Sequence, residues 1–225
     1  MGKVLFTWSS GKDSARALWE LRKSDEYEIV SLLTTLTSDY GRISMHGVRE
    51  ELLDAQAASL GIPLEKVKIR RDASNEDYEQ AFETALQKYK ENGVETVAFG
   101  DLYLEDLKKY REENLSKIGM KALFPIWNMN TEKLARDNID SGFRTVVTCV
   151  DTKQLDGSFA GREIDASFLA DLPDSVDPCG ENGEFHSFCF DGPCFEAPVE
   201  FSVGKSVLRN GQFKFTDLLP AQQSA

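Results

Sequence analysis

Ser9-Ser10-Gly11-Lys12-Asp13-Ser14 is the stretch on which the fold turns. It follows directly on a short apolar run, Lys3 to Trp8, that reads as a strand. It opens a helix, Asp13 to Lys23, with Ala15, Leu18, Trp19 and Arg22 at helical spacing. Small residues let the backbone turn tightly and bring its N–H groups close to a ligand. A helix N-terminus adds unpaired donors and the positive end of a dipole, and Lys12 adds a compact positive charge. At the first strand-to-helix turn of an alternating α/β chain, that combination is an anion cradle suited to phosphate. The plainer alternative is an ordinary Ser/Gly turn capped by Asp13 or Ser14. The loop is not a Walker A motif, which needs Gly five residues before the Gly-Lys pair, where this chain has Phe6.

Outward from this loop, strand and helix signals alternate. Strands are expected at Glu28 to Thr35, Leu64 to Ile69, Glu95 to Phe99, Ala122 to Trp127 and Phe143 to Val150. Helices are expected at Val48 to Leu60, stopped by Gly61 with Pro63 beyond, and after Asn75 as cap, with Tyr78, Phe82, Leu86 and Tyr89 on one face. Further helices are expected at Leu102 to Ile118 and Thr131 to Ser141. The alternation predicts a Rossmann-like parallel sheet with helices on both faces, its strands' C-terminal ends on one edge. Beyond Asp151, Gly, Pro, Cys and Phe become frequent. A last helix is expected at Ile164 to Leu172, and Arg209-Asn210-Gly211 between two apolar runs predicts a hairpin. The tail, Ala221 to Ala225, reads as frayed. The change of composition divides the chain into 1–150, which carries the phosphate cradle, and a smaller region, 151–225.

Composition bounds the function. The 225 residues are 41% hydrophobic, enough to fill a core, and no apolar run approaches the roughly 20 residues that span a bilayer. A cytoplasmic protein without a membrane partner is the expectation. Lys+Arg 26 against Asp+Glu 38 gives a net charge of −12, which disfavours general nucleic-acid binding. The best basic patch, Lys66, Lys68, Arg70 and Arg71, reads as a solvated strand edge. Cys149, Cys179, Cys189 and Cys194 form no CxxC pair, and their spacings around His186 match no common zinc module. Reduced, structural thiols are expected.

The hexapeptide resembles the PP-loop of the ATP pyrophosphatase superfamily, usually Ser-Gly-Gly-x-Asp-Ser, with Ser10 in place of the first Gly. Four more stretches sharpen the match. They are Met45-His46-Gly47-Val48, Gly100-Asp101-Leu102-Tyr103-Leu104-Glu105-Asp106 with Pro125-Ile126-Trp127, and Asp177-Pro178-Cys179-Gly180-Glu181-Asn182-Gly183-Glu184-Phe185-His186. Together these resemble the diphthine–ammonia ligase family over roughly positions 3 to 195. The resemblance implies a HUP-type parallel sheet in a PP-loop ATP-binding domain, 1–150, followed by a small α+β substrate-recognition region, 151–225, and a ligase reaction. ATP, ammonia and a carboxylate would give an amide, AMP and pyrophosphate, the carboxylate being that of diphthine on elongation factor 2 or of a small metabolite.

Residue by residue, the resemblance and the chemistry assign Ser9, Ser10, Gly11, Lys12, Asp13, Ser14 and Gly100 to ATP and pyrophosphate. Lys12, Asp13, Asp101 and Glu184 are the catalytic candidates. Asp13 and Asp101 either hold Mg²⁺ by hard-oxygen ligation or act as helix caps. His46, Glu105, Gly180, Glu181, Asn182, Gly183, Glu184 and His186 are expected to face the acceptor, although Glu181 to Glu184 also reads as a simple turn and His46 as a capping or core histidine. Free ammonium is the expected nitrogen source, since two histidines and no second domain leave no glutaminase. A homodimer is left open. The alternatives are another PP-loop pyrophosphatase acting on a small metabolite or tRNA, or a nucleotide-binding regulatory module.

Overall fold

Strand β1 (Gly2–Thr7) alternates its side chains across the first sheet: Val4 and Phe6 enter one core cluster and Leu5 the opposite one. The computed structural model describes residues 1–43 and 46–221. Met45 of the quoted motif, and residues 222–225 of the expected frayed tail, lie outside the described residues. After β1 come α1 (Lys12–Arg22), β2 (Tyr27–Thr37), β3 (Arg42–Ile43), α2 (Glu50–Leu60), β4 (Leu64–Ile69), α3 (Asn75–Glu91), β5 (Thr96–Ala98), α4 (Glu105–Lys117) and β6 (Lys121–Leu123). The parallel strands run β4-β2-β1-β5-β6 across the sheet, and β3 adds a short antiparallel pair at the C-terminal end of β2. Leu18, Leu52, Leu53 and Leu60 pack α1 and α2 on one face, while Leu86 and Leu115 pack α3 and α4 on the other. The order reverses at β1, so a crevice opens between the C-terminal ends of β1 and β5, where ligands of such sheets bind.

The expected sixth strand, realised as β7 (Arg144–Asp151) after α5 (Thr131–Asp140), does not extend this sheet. It pairs antiparallel with β8 (Phe185–Asp191) and with β10 (Phe213–Pro220), which pairs with β9 (Phe201–Arg209), in a second sheet ordered β8-β7-β10-β9. The short α6 (Ala166–Asp171) covers this sheet through Phe168, which packs edge-on to Phe159 and Phe185. The β9–β10 hairpin turns at Asn210 and Gly211, both with positive φ, as the Asn-Gly signal predicts. One cap differs from expectation. Ser74, not Asn75, caps α3, through a capping box with Asp77. Among the described residues no helix is long and apolar enough to cross a membrane.

Candidate functional site

Gly11 is the N-cap of α1 and supplies no side-chain cap; Lys12 N donates to Ser187 Oγ of β8 at 3.3 Å, which ties the start of the helix to the second sheet. Before it the chain is locked from several sides. Ser9 Oγ and Ser14 Oγ lie 2.7 Å apart, and Ser9 N donates to Ser14 Oγ at 3.1 Å. Ser10 takes a left-handed φ of 70°, and its carbonyl accepts from Cys189 N at 2.9 Å and Gln56 Nε2 at 3.0 Å. A Cβ on Gly11 would sit 3.0 Å from His46 Cε1 and 3.2 Å from the Ser187 carbonyl oxygen. A Cβ on Gly100 would meet Ser14 N at 3.0 Å and the Asp13 carbonyl carbon at 3.1 Å. Glycine at 11 and 100 thus lets the loop, β8 and the end of β5 close on one another.

The cavity they enclose is about 470 Å³. Of the expected residues, Ser9, Lys12, Asp13, Ser14, His46, Gly100, Asp101, Gly180, Glu181, Gly183 and His186 line it. The fold therefore brings four separate motifs to one place. Lys12 is 6% exposed, and its Nζ lies 2.6 Å from Asp13 Oδ2. Burial works against its charge, but the negative charges of Asp13 and Glu181 more than offset this, and its pKa lies above the ordinary lysine value. His186 and His46 stand with ring centroids 4.9 Å apart, and His46 Nδ1 lies 3.0 Å from the Ser187 carbonyl oxygen. Burial, with the neighbouring imidazole and Lys12, brings His186 down to about 3, and burial also lowers His46, so both rings are neutral at pH 7. Burial and the nearby Asp13 push Glu181 up to about 8.

Five expected residues stand elsewhere. Glu184 is 1% exposed and does not face the cavity. Its carboxylate accepts from Asp177 N (2.9 Å), Asn182 N (2.9 Å) and Asn182 Nδ2 (3.0 Å), so it folds the 177–184 loop from inside. Asn182 is exposed, with Oδ1 accepting from the Tyr103 hydroxyl at 3.3 Å. Glu105 is exposed in the first turn of α4, where a carboxylate complements the helix dipole. Ser10 and Gly11 shape the loop from behind the cavity wall. Sequence reasoning missed Thr34, Thr35, Tyr78, Phe82, Arg111 and Ser187 on the wall. Arg111, on α4, grips both oxygens of Asp101 through Nε and Nη2. The only signal that could have found it is helical spacing from the Gly100-Asp101 turn, which carries no chemistry by itself.

A divalent cation fits part of this arrangement. Asp13 Oδ1 is buried and has no hydrogen-bond partner among the described residues, as a ligand oxygen awaiting a hard cation would be. Asp101 is committed to Arg111, and among the described residues no group of three or more His, Cys, Asp and Glu is arranged to hold a metal ion. The two carboxylates would thus need phosphate oxygens and water to complete a shell. The four cysteines are free and buried, and burial pushes Cys149 and Cys194 up to about 12. Buried thiols with raised pKa stay protonated and pack as small apolar groups.

Residues 2–122 match the diphthamide synthase N-terminal domain and residues 130–214 the diphthamide synthase C-terminal domain. The chain belongs to the diphthamide synthase family. Among curated proteins, this family member is 26% identical over 179 residues to the diphthine–ammonia ligase of Homo sapiens, covering 72% of this chain and 67% of that protein. It is 26% identical over 217 residues to the Schizosaccharomyces pombe diphthine–ammonia ligase, covering 88% of this chain but 36% of that protein. With the Danio rerio diphthine–ammonia ligase the identity is 24%, over 92% of this chain and 89% of the other. A U34-tRNA thiolase, NcsA from Methanococcus maripaludis with its [4Fe-4S] cluster, is similar in part, with a TM-score of 0.37 and 18% identity over 60% of this chain and 55% of that one.

Proposed function

We propose that this family member is an ATP-dependent ligase that adenylates a carboxylate of its acceptor, releases pyrophosphate and lets ammonia form the amide. The observation that carries the reading is the buried Lys12–Asp13 pair at the N-terminus of α1, in one cavity with Gly100, Asp101 and the Glu181 loop. A carboxylate is a poor electrophile until its oxygen becomes a leaving group, and adenylation makes it one. That step builds charge on the α-phosphate and on the departing pyrophosphate. Lys12, Ser9, Ser14 and the α1 N-terminus are placed to neutralise and orient it. Mg²⁺, held by Asp13 and Asp101, would supply further neutralisation of the phosphates. The neutral His186 and His46 rings can exchange hydrogen bonds with a polar acceptor without repelling a cation. Glu181, not Glu184, is the carboxyl placed to meet the acceptor and the incoming nitrogen.

The acceptor class follows from the relatives' printed activity: diphthine, or a small carboxylate of related chemistry. In this reading residues 1–150 hold the nucleotide, 151–225 recognise the acceptor, and the enzyme works in the cytoplasm on free ammonium. The test is to incubate the protein with ATP, Mg²⁺, ¹⁵N-ammonium and candidate carboxylates, and to identify both nucleotide product and labelled amide. AMP and pyrophosphate with a labelled amide are expected. Stoichiometric ADP and phosphate would overturn the reading.

A further inference from the structure

Arg111 belongs to none of the sequence motifs, yet it stands on the wall of the main cavity and of a second chamber, about 240 Å³, between α3 and α4. It supplies every hydrogen bond that the Asp101 carboxylate accepts among the described residues. Its guanidinium carbon lies 4.3 Å from the centre of the Phe99 ring, and Nη1 has no hydrogen-bond partner among the described residues. A fork of this kind engages both carboxylate oxygens, the atoms a metal ion would bind. A guanidinium and a divalent cation at one carboxylate also repel each other. The two therefore compete for Asp101.

Resting on the ligase reading, we propose that Arg111 is a positioning residue that occupies Asp101 while the site is empty. It yields Asp101 to the cation that accompanies the nucleotide, and turns its fork to an anionic oxygen group in the same cavity, a nucleotide phosphate or the acceptor carboxylate. The two side chains stand on separate elements, Arg111 on α4 and Asp101 just after β5. The Phe99 face gives the guanidinium a surface to rest on in both positions.

The full-length chain tests this without turnover. Mn²⁺ binding is followed by electron paramagnetic resonance in the absence of nucleotide, and Mg·ATP binding by calorimetry. Arg111→Met should raise Mn²⁺ affinity about tenfold or more, because it removes a competing charge. Asp101→Asn should abolish that gain in the double variant. If the fork moves to a phosphate, Arg111→Met weakens Mg·ATP binding and Arg111→Lys restores part of it. If it moves to the acceptor, Mg·ATP binding is unchanged and the acceptor KM rises. Unchanged or lower Mn²⁺ affinity in Arg111→Met, or an unchanged gain in the double variant, overturns the competition. Unchanged affinity for both Mg·ATP and acceptor overturns the transfer. Circular dichroism checks that the variants fold, with Arg111→Lys as the milder one. A positive Mn²⁺ result with ADP as the reaction product would sink the ligase reading and leave the exchange standing.

Discussion

At Ser10 the loop carries a side chain in a left-handed conformation, with φ 70°. For an L-residue this costs about 1–2 kcal/mol, and the motif that this loop resembles has Gly there. The serine hydroxyl is buried without a partner among the described residues, so its side chain makes no hydrogen bond there to offset the cost. Ser10→Gly should therefore stabilise the fold. The net gain should be about 0.5–1 kcal/mol, since the unfolded chain also gains freedom. Urea unfolding measures the gain and calorimetry the ATP affinity, which should be unchanged. A clear loss of affinity would show that the hydroxyl reaches the nucleotide. The departure from Gly is plain in the sequence; its cost is not, because a backbone angle leaves no mark in composition. Glu184 taught the opposite lesson. Two carboxylates three residues apart in a Gly-bracketed loop look equivalent on paper, and only the packing sends one inward to three hydrogen-bond donors.

At the scale of elements, the helices of the first sheet were legible because apolar period and stop signals agree, as at Leu60 and Gly61, whose φ of 65° makes it the C-cap. Strand partners were not. The run that became β7 looks like one more strand of an alternating series, and pairing is decided by chain segments more than thirty residues away. Strand β8 starts in what read as a site motif, at Phe185 and His186, and runs on past it to Asp191. Its junction with the Ser9–Ser14 loop is buttressed by Gln56 of α2, fully buried. Gln56 Oε1 accepts from Trp8 Nε1 at 2.9 Å, and Nε2 donates to the carbonyl oxygens of Ser10 and Cys189 at 3.0 and 2.6 Å. Gln56→Ala leaves the Trp8 N–H and the Cys189 carbonyl without these partners. It should cost about 3 kcal/mol, and ATP affinity should fall as the loop loosens. A destabilisation well under 1 kcal/mol in urea unfolding would show that other groups hold the junction.

On the scale of the whole molecule, one cavity is built from two sheets, and an ion cluster beside the His46 segment helps to fix how they meet. Asp217 of β10 accepts from Arg42 Nη1 of β3 at 2.9 Å, from Arg49 Nε at 3.0 Å and from Arg49 Nη2, at the N-terminus of α2, at 2.6 Å. Beside it, a Cβ on Gly47 would fall 2.9 Å from Phe215 Cδ1, so β10 bears directly on the segment that carries His46. Hydrogen bonds from Arg49 lead the causes that bring Asp217 down to about 2, from an ordinary 3.8. The folded-state pKa is depressed, so this contribution to stability is fully present above about pH 4 and is lost as pH falls through about 2. Asp217→Asn should cost about 1–2 kcal/mol at pH 7, a figure moderated by solvent around the cluster. The gap between wild type and variant should close between pH 4 and pH 2. The measurement is urea unfolding of both proteins across that range, with the His46 ring resonances followed at pH 7. They should shift in the variant if β10 positions this wall of the cavity. A gap that stays constant down to pH 2 would assign the stability to packing at Phe215 and leave the ion cluster without a part in it.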